Sequence, residues 1–179
     1  MKTVQLETKR LILRQWKKDD FKAFEKLNAD PIVMEYFPSI LSAKESNALA
    51  QKMQDLIEHN GWGFWAVEEK FSGAFIGCLG LHEPTDDLPF TPCVEIGWRL
   101  LKEYWGKGYA TEAGKEVVGF AFEVLKLDEI VSFTATINHR SESVMKRLGM
   151  KKKDANFEHL ALPKGHRLRE HSLYAIRRK

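Results

Sequence analysis

The 179-residue sequence predicts a mixed α/β fold of the α+β kind, in which helices flank a central, mostly antiparallel sheet of about seven strands. Two observations lead to this prediction. Short apolar runs typical of strands alternate with segments in which apolar residues recur at helical spacing. Strands before the middle of the chain follow one another through short connections, as antiparallel neighbours do. The predicted order of elements is β-α-α-β-β-β-α-β-α-β-β.

The first part of the chain predicts one strand and two helices. The strand is Leu11–Leu13, and the first helix begins at Asp19-Asp20. The second helix begins at Ser42, because Ser42 and Glu45 have the spacing of a capping box, in which each side chain bonds to the other residue's backbone N–H. Gly61 ends this helix. The apolar faces consist of Phe21, Phe24 and Leu27 in the first helix and of Leu49, Met53, Leu56 and Ile57 in the second.

The middle of the chain predicts three consecutive strands. Trp62–Val67 and Phe75–Leu81 are apolar runs joined by a turn near Ser72-Gly73. The next segment, Glu83–Pro92, is predicted to be a loop because it is rich in proline and aspartate. The fourth strand of the predicted sheet, Val94–Leu100, follows this loop.

The rest of the chain predicts two helices and three strands. One helix follows Thr111, and a short second helix has Ser141 as its N-cap and Gly149 as its left-handed end. The predicted buried positions of the first of these helices are Val117, Val118, Ala121 and Val124. The remaining strands are Ile130–Ala135, Lys151–Phe157 and His171–Ile176.

Bulk composition argues against several classes of protein. A net charge of +3 at pH 7 is too small to indicate a nucleic-acid partner, and no apolar run approaches the ~20 residues of a membrane span. The start, Met1-Lys2-Thr3, lacks the apolar core of a signal peptide. Cys78 and Cys93 lie in apolar, strand-like segments, which predicts reduced, buried thiols in a cytoplasmic protein. We expect a single domain over residues 1–179.

A glycine-rich segment, Trp105–Thr111, lies between the fourth strand and the following helix. Few side chains cover its backbone N–H groups, and the helix N-terminus adds partial positive charge, so the segment suits a phosphate or pyrophosphate. Lys107 adds a mobile charge. A P-loop is disfavoured because Gly108 stands where Ser or Thr is required, and a dinucleotide fingerprint is disfavoured because Thr111 replaces its third glycine. On these residues alone, an ordinary turn remains open.

Four motifs in order give the chain a resemblance to a known family. They are Glu7–Arg14 in the opening strand, Glu95–Trp98 in the fourth strand, Tyr104–Ala113 across the glycine segment, and Asn138–Ser141 before a short helix that ends in Leu148–Met150. With this element order, the chain resembles the GNAT superfamily of acyl-CoA N-acyltransferases, and more closely its RimJ/RimL-like branch. The resemblance covers nearly the whole chain. It implies a sheet that is splayed between the fourth and fifth strands.

The same resemblance implies that acetyl-CoA binds as a co-substrate, with no metal. The groups that would hold the pantetheine arm are the backbone of Trp98, Arg99 and Leu100 and the side chain of Asn138. The residues that would wrap the pyrophosphate are Trp105, Gly106, Lys107, Gly108, Tyr109, Ala110 and Thr111. Trp105 stands where the family pattern has Gln or Arg. Ser141 or Ser143 would lie toward the phosphate or the thiol.

Glu95 is the candidate general base, because an amine that is protonated near neutral pH must lose a proton before it attacks a thioester. Two other interpretations of Glu95 are a solvent-facing carboxylate at a strand edge and a salt-bridge partner, and His82 and Glu83 are substitute bases. Many superfamily members carry a proton-donating tyrosine seven residues after the asparagine, where this chain has Met145. The remaining candidate donors are Ser141, Ser143, Tyr109 and water. No zinc site is predicted from the three scattered C-terminal histidines, His159, His166 and His171.

Two functions fit these residues. The first is an N-acetyltransferase that moves an acetyl group from acetyl-CoA to a primary amine by direct attack, and the second is a catalytically inactive acyl-CoA-binding or interaction domain of the same fold. The acceptor stays open between a ribosomal or other peptide N-terminus, an aminoglycoside and a polyamine. The predicted loop contains the acidic residues Glu83, Asp86 and Asp87. They either indicate an acceptor with cationic character or are simply solvent-exposed residues of a polar loop. Neither nucleic acid nor membrane is an expected partner, and a homodimer stays open.

Overall fold

The computed structural model describes residues 3–85 and 87–178. Within them, the helices are α1 (Lys18–Ala29), α2 (Ala43–Asn60), α3 (Tyr109–Glu123) and α4 (His139–Arg147). The strands are β1 (Leu6–Glu7), β2 (Leu11–Arg14), β3 (Phe64–Glu69), β4 (Ala74–His82), β5 (Glu95–Leu100), β6 (Glu129–Ala135), β7 (Lys151–Lys152), β8 (Phe157–Glu158) and β9 (Glu170–Arg177). A short 3₁₀ turn at Lys102–Tyr104 follows β5. None of the described helices has both the length and the apolar character that a membrane span requires.

The strands form one sheet in the order β1-β2-β3-β4-β5-β6-β9-β7, with β8 also paired to β9. Neighbouring pairs among the described residues are antiparallel except β5 and β6, which are parallel. These two strands are in register at Glu95 and Val131, and the Val131 N–H donates to the Val94 carbonyl at 3.0 Å. Within the described residues no further pair joins β5 to β6, so they separate beyond this point. The predicted mixed sheet, splayed between its fourth and fifth predicted strands, is confirmed.

Aromatic side chains fill the core on both faces of the sheet. On one face, the ring of Phe24 from α1 lies 4.9 Å from that of Trp16 and 6.3 Å from that of Phe75. On the other face, Phe120 of α3 packs edge-on against Trp65 of β3 at 5.6 Å. All five rings belong to one buried core. Because burial of large rings dominates core energetics, this packing fixes α1 and α3 on opposite sides of the sheet.

The predicted boundaries of α2 are confirmed. Ser42 Oγ accepts a hydrogen bond from the Glu45 N–H at 3.3 Å, and the Glu45 carboxylate accepts one from the Ser42 N–H at 2.8 Å. Gly61 follows the helix with φ at 82°, a left-handed conformation that glycine adopts without a Cβ clash. Both ends of α2 are therefore set by local capping interactions that can be predicted from the sequence.

We expect Ser42→Ala to lower the free energy of unfolding by about 1 kcal/mol, because the first turn of α2 would lose the acceptor for the Glu45 N–H. Urea denaturation measures this change. Ser39→Ala is the matched control, since Ser39 is exposed and precedes the helix, and it should change the free energy by less than about 0.5 kcal/mol. Equal losses in the two variants would contradict a stabilising role of the cap.

The structure adds one strand that was not predicted and corrects two predicted elements. Leu6–Glu7 forms β1, which is too short to leave an alternating pattern in the sequence. The predicted strand Lys151–Phe157 is divided into β7 and β8, which pair with different parts of β9. The N-cap of α4 is Asn138 rather than Ser141, because the Ser141 N–H donates to Asn138 Oδ1 at 3.2 Å. Gly149 is left-handed after α4, as predicted.

Four residues that were predicted to be buried are less so, among them Val118 of α3, which is half-buried. Leu56 is 38% exposed, because it lies about 100° round the helix from buried Ile57. Val124 is 62% exposed, because α3 ends one residue earlier and the helical spacing stops there. Cys93 is half-buried, since it lies in the loop before β5, whereas Cys78 is buried as predicted. Both cysteines are free thiols, and burial raises the pKa of Cys78 to about 11.

Candidate active site

A cleft of about 1390 Å³ opens where β5 and β6 separate. Its volume exceeds the roughly 300–1,000 Å³ of an ordinary small-molecule pocket, so it has room for two substrates. The segment between α1 and α2, the strand β5 with the glycine segment, and the strand β6 with the start of α4 form its walls. The predicted cofactor-binding residues that line it are Trp98, Arg99, Leu100, Trp105, Gly106, Gly108, Tyr109, Ala110, Thr111, Asn138, Ser141 and Ser143. Lys107 is not part of the lining.

One edge of β5 presents backbone groups to the cleft. The Val94 carbonyl bonds to Val131 of β6, whereas the Leu101 N–H bonds to the Ile76 carbonyl of β4. Backbone groups alternate in direction along a strand, so the even-numbered residues of β5 point toward β6 and the odd-numbered ones toward β4. Because β6 diverges after Val131, the N–H and C=O of Trp98 face the cleft rather than another strand.

Trp105 connects the glycine segment to this strand. Its indole Nε1–H donates to the carbonyl of Leu100 at 2.8 Å, on the same edge of β5. Arg99 is odd-numbered and lies opposite Cys78 in the pairing with β4, so its backbone N–H and C=O point toward β4. Only the side chain of Arg99 contributes to the cleft. Of the three residues whose backbone was predicted to hold the pantetheine arm, Trp98 and Leu100 direct backbone groups toward the cleft. The backbone groups of Arg99 point away from it.

Two left-handed glycines shape the segment before α3. Gly106 has φ at 73° and Gly108 has φ at 80°, conformations that a residue with a Cβ adopts only at a cost. Gly108 is the N-cap of α3, and its carbonyl accepts from the Glu112 N–H at 2.9 Å. The Glu112 carboxylate in turn accepts from Arg10 Nε at 2.6 Å, which anchors the start of α3 to the turn between β1 and β2. Unbonded N–H groups of the first helical turn are therefore held at the cleft.

A second helix N-terminus meets the first at the same opening. Asn138 caps α4, and its Nδ2 donates to Thr134 Oγ1 at 2.9 Å and to Ser141 Oγ at 3.1 Å. The guanidinium of Arg140 lies 4.7 Å from the centre of the Trp105 ring, which places the start of α4 beside the glycine segment. Two helix N-termini at one cleft create a site with strong preference for an anion.

The candidate base lies beside its predicted substitute. Glu95 and His82 are partners in the pairing of β5 with β4, and Glu95 Oε2 lies 3.5 Å from His82 Nε2. The Glu95 side chain is only 13% exposed, so it is not a solvated carboxylate at a strand edge. Both residues line the cleft. Glu83, the second substitute, is exposed and outside the lining.

Two histidines that the sequence did not connect also line the cleft. The rings of His159 and His171 lie 5.2 Å apart, and the ring of Phe133 from β6 lies about as close to both, at 6.2 and 6.0 Å. Burial lowers the pKa of His171, so its neutral form is favoured. His159 and His171 are close together because β8 pairs with β9, and no local sequence motif predicts this pairing. Among the described residues, no group of three or more metal-ligating side chains includes them.

The position of the missing tyrosine and the candidate proton donors have different surroundings. Met145 is buried in the cleft wall and carries no proton to donate. Tyr109 stacks under Arg10, at the end of the sheet opposite to Glu95. Ser143 Oγ already donates to the His139 carbonyl at 2.8 Å. The helix α4 as described therefore has no tyrosine hydroxyl in place of the missing family donor.

We expect Trp105→Phe to raise the KM for acetyl-CoA by about two- to tenfold with little change in kcat, because the variant loses the hydrogen bond that fixes the glycine segment to Leu100. Steady-state kinetics with varied acetyl-CoA measures this effect. Trp62→Phe is the control, since Trp62 is partly buried outside the cleft lining. A fall in kcat at unchanged KM would show that the bond acts on the chemical step instead.

Comparison with known proteins agrees with this architecture. A family model described as the acetyltransferase (GNAT) domain matches residues 10–151. YnaD of Bacillus subtilis (strain 168), an uncharacterized N-acetyltransferase, is 27% identical over 174 residues, which cover 97% of this chain and 96% of YnaD.

Solved structures show the same fold. The acetyltransferase (GNAT family) from Bacillus anthracis superposes with a TM-score of 0.81 at 24% identity, over 97% of this chain and 98% of that one. Spermidine N-acetyltransferase from Vibrio cholerae, solved with CoA and spermine, gives a TM-score of 0.73 at 21% identity, over 94% and 95% of the two chains. The family match spans most of the chain and includes the splayed strands and both helix N-termini of the cleft. The chain therefore belongs to the GNAT family of acetyltransferases, in its RimJ/RimL type, and is an acetyl-CoA-dependent N-acetyltransferase.

Proposed function

We propose that this enzyme acetylates a primary amine, either a peptide N-terminus or a small molecule, by direct attack while both substrates occupy the cleft. The observation that carries the proposal is the position of Glu95. Its largely buried carboxylate lines the same cleft as the exposed edge of β5 and the two helix N-termini. A proton acceptor and a cofactor surface therefore share one cavity.

The residues around the opening suit the parts of acetyl-CoA. The backbone N–H and C=O of Trp98 can pair with an amide-rich pantetheine arm as an added strand. The N–H groups that follow Gly108, together with the start of α4 at Asn138, suit the pyrophosphate. Bound acetyl-CoA supplies the thioester that the amine attacks. Ser141 contributes a hydroxyl at the same helix start.

Glu95 has the task of removing a proton from the amine, directly or through water. An aliphatic amine with a pKa near ~10 is only about 0.1% neutral at pH 7, so an acceptor for its proton promotes attack. His82 Nε2 lies 3.5 Å from Glu95 Oε2, a distance that supports a role for His82 in taking the proton onward. The thiolate that leaves has an ordinary pKa of about 8.5, so a serine hydroxyl or water gives sufficient help.

Thiol titration of released CoA tests the proposal. The acceptor panel contains an Ala- or Ser-starting peptide, a polyamine, an aminoglycoside and amino acids, each compared with hydrolysis of acetyl-CoA alone. We expect release above that blank with at least one primary amine and none with its N-acetylated form. The alternative, an inactive acyl-CoA-binding domain, predicts that acetyl-CoA raises the melting temperature while no amine causes release.

A further inference from the structure

Arg99, on the wall of the cleft, is a cation that lacks a carboxylate partner within the described part of the chain. Its Nη1 donates to the neutral side chain of Asn28, and its guanidinium carbon lies 3.9 Å from the centre of the Phe37 ring. Arg99 Nε is buried and has no hydrogen-bond partner among residues 3–85 and 87–178. Over the same residues, no carboxylate forms a salt bridge with this guanidinium.

Arg14, which is buried, shows what full compensation of a guanidinium charge looks like in this fold. Arg14 donates to both carboxylate oxygens of Asp20, at 2.7 and 2.9 Å, and to Glu68 at 2.6 Å. Arg99 contacts an amide oxygen and an aromatic face instead, and burial lowers its pKa. Even a partly buried charge without an ionic partner is costly to the folded state. Such a group is typical of a binding site in which the ligand supplies the opposite charge.

The position of Arg99 relates it to the acceptor side of the cleft. Alternate residues of a strand share a face, so Glu95 and Arg99 lie on the same face of β5, with their Cα atoms about 13 Å apart. Both line the cleft. The contacts of Arg99 with Asn28 and Phe37 place its guanidinium against the end of α1 and the segment that follows, rather than against the starts of α3 and α4.

We propose that Arg99 binds an anionic group, a carboxylate or a phosphate, carried by the amine that is acetylated. This inference rests on the proposed transfer to a primary amine. The guanidinium fork binds both anions through parallel N–H bonds, and the aromatic and amide contacts of Arg99 hold the fork in place. The acidic loop does not oppose this assignment, because Glu83 and Asp87 are exposed outside the cleft lining and Asp86 lies outside the described residues.

Paired acceptors test the proposal by turnover. Each of glycine, β-alanine, 4-aminobutyrate and 6-aminohexanoate is compared with its carboxamide, and 2-aminoethylphosphonate is compared with ethylamine. We expect the best anionic member to have a kcat/KM at least about tenfold above its neutral partner in the wild type. In Arg99→Gln this ratio should fall to about one. The carboxylate and phosphonate arms identify which anion is preferred.

Arg140→Gln is the matched control, because it removes the same charge from the same cleft. Arg140 already has a counter-charge in Glu35, at 2.6 Å, so the control should keep the preference for the anionic acceptor. If Arg99→Gln does not fold, Arg99→Lys retains the charge without the fork and should lose part of the preference. Equal preference in wild type and Arg99→Gln overturns the proposal, as does a raised KM for acetyl-CoA with no change in preference.

A binding measurement separates this proposal from the proposed reaction. The Nε–H resonance of Arg99 is followed in ¹⁵N-arginine-labelled wild-type protein with unacetylated CoA present, while each acceptor is added. We expect saturable shifts with the anionic acceptors and none with the neutral ones. Shifts without CoA release from any amine would refute the reaction and leave the anion site standing. No shift with any anion refutes the anion site.

Discussion

Glu95→Gln is expected to lower kcat by 10²-fold or more while the affinity for acetyl-CoA stays close to that of the wild type. The amide keeps the shape of the carboxylate and cannot accept the proton of the attacking amine. Its contact with His82 lies toward β4, whereas the backbone groups suited to the cofactor lie along the opposite edge of β5 and at the helix starts. CoA release at saturating acetyl-CoA, together with the acetyl-CoA-induced shift in melting temperature, measures both quantities.

Two further variants give this result its meaning. Glu116→Gln, on the exposed side of α3, makes the same chemical change outside the cleft and should leave kcat within about twofold of wild type. His82→Gln should lower kcat less than Glu95→Gln if His82 only relays the proton. Full kcat in Glu95→Gln across the pH range would make Glu95 structural and assign the proton to His82 or solvent.

The pH dependence has a definite sign for the same reason. At pH values below the pKa of the amine, near ~10, its neutral fraction increases tenfold with each unit rise in pH. We therefore expect kcat/KM to rise with pH. A falling limb near pH ~10 would require an acid such as a tyrosine, and Met145 occupies the position where many superfamily members have one. A bell-shaped profile with a falling limb there would therefore show that another group, titrating near pH ~10, donates the proton.

Features fixed by neighbouring residues could be predicted from the sequence. Both ends of α2 follow from Ser42, Glu45 and Gly61, because capping chemistry acts within one helical turn. The same reasoning misassigned the cap of α4, since Asn138 and Ser141 are both good caps three positions apart and only the geometry shows which oxygen accepts. Local rules thus locate a helix start to within a turn.

Features that depend on strand pairing could not be predicted in this way. His159 meets His171 only because β8 pairs with β9, and Glu95 meets His82 only through the pairing of β4 with β5. In the sequence, nothing distinguishes the side chain of Arg99 from any other polar side chain on a strand. Its lack of a carboxylate partner becomes visible only when the fold shows which of the described carboxylates lie near it and which do not.

Gly108→Val is expected to abolish stabilisation by acetyl-CoA. In the wild type, acetyl-CoA at a hundredfold excess over Kd should add roughly 2.7 kcal/mol to the free energy of unfolding. A Cβ at this position meets Arg10 Nη2 at 3.6 Å, an ordinary contact, so no neighbouring atom excludes a Cβ there. The branched methyl groups would instead occupy the space over the first N–H groups of α3, where the pyrophosphate is expected. Thermal melts with and without acetyl-CoA measure the effect.

The backbone of Gly108 requires a control for strain, because φ at 80° disfavours valine whatever lies nearby. Gly73, in the turn between β3 and β4, has φ at 69° and lies outside the cleft lining, and a Cβ at Gly73 would meet no described residue beyond its chain neighbours within 4 Å. Left-handed strain should therefore lower the free energy of unfolding of Gly73→Val by roughly 1–2 kcal/mol, as in Gly108→Val. Gly73→Val should keep the full response to acetyl-CoA. If both variants keep the response, the glycine segment does not hold the pyrophosphate. If both lose it, the loss reflects general destabilisation, and only a response retained by Gly73→Val alone assigns the site to Gly108.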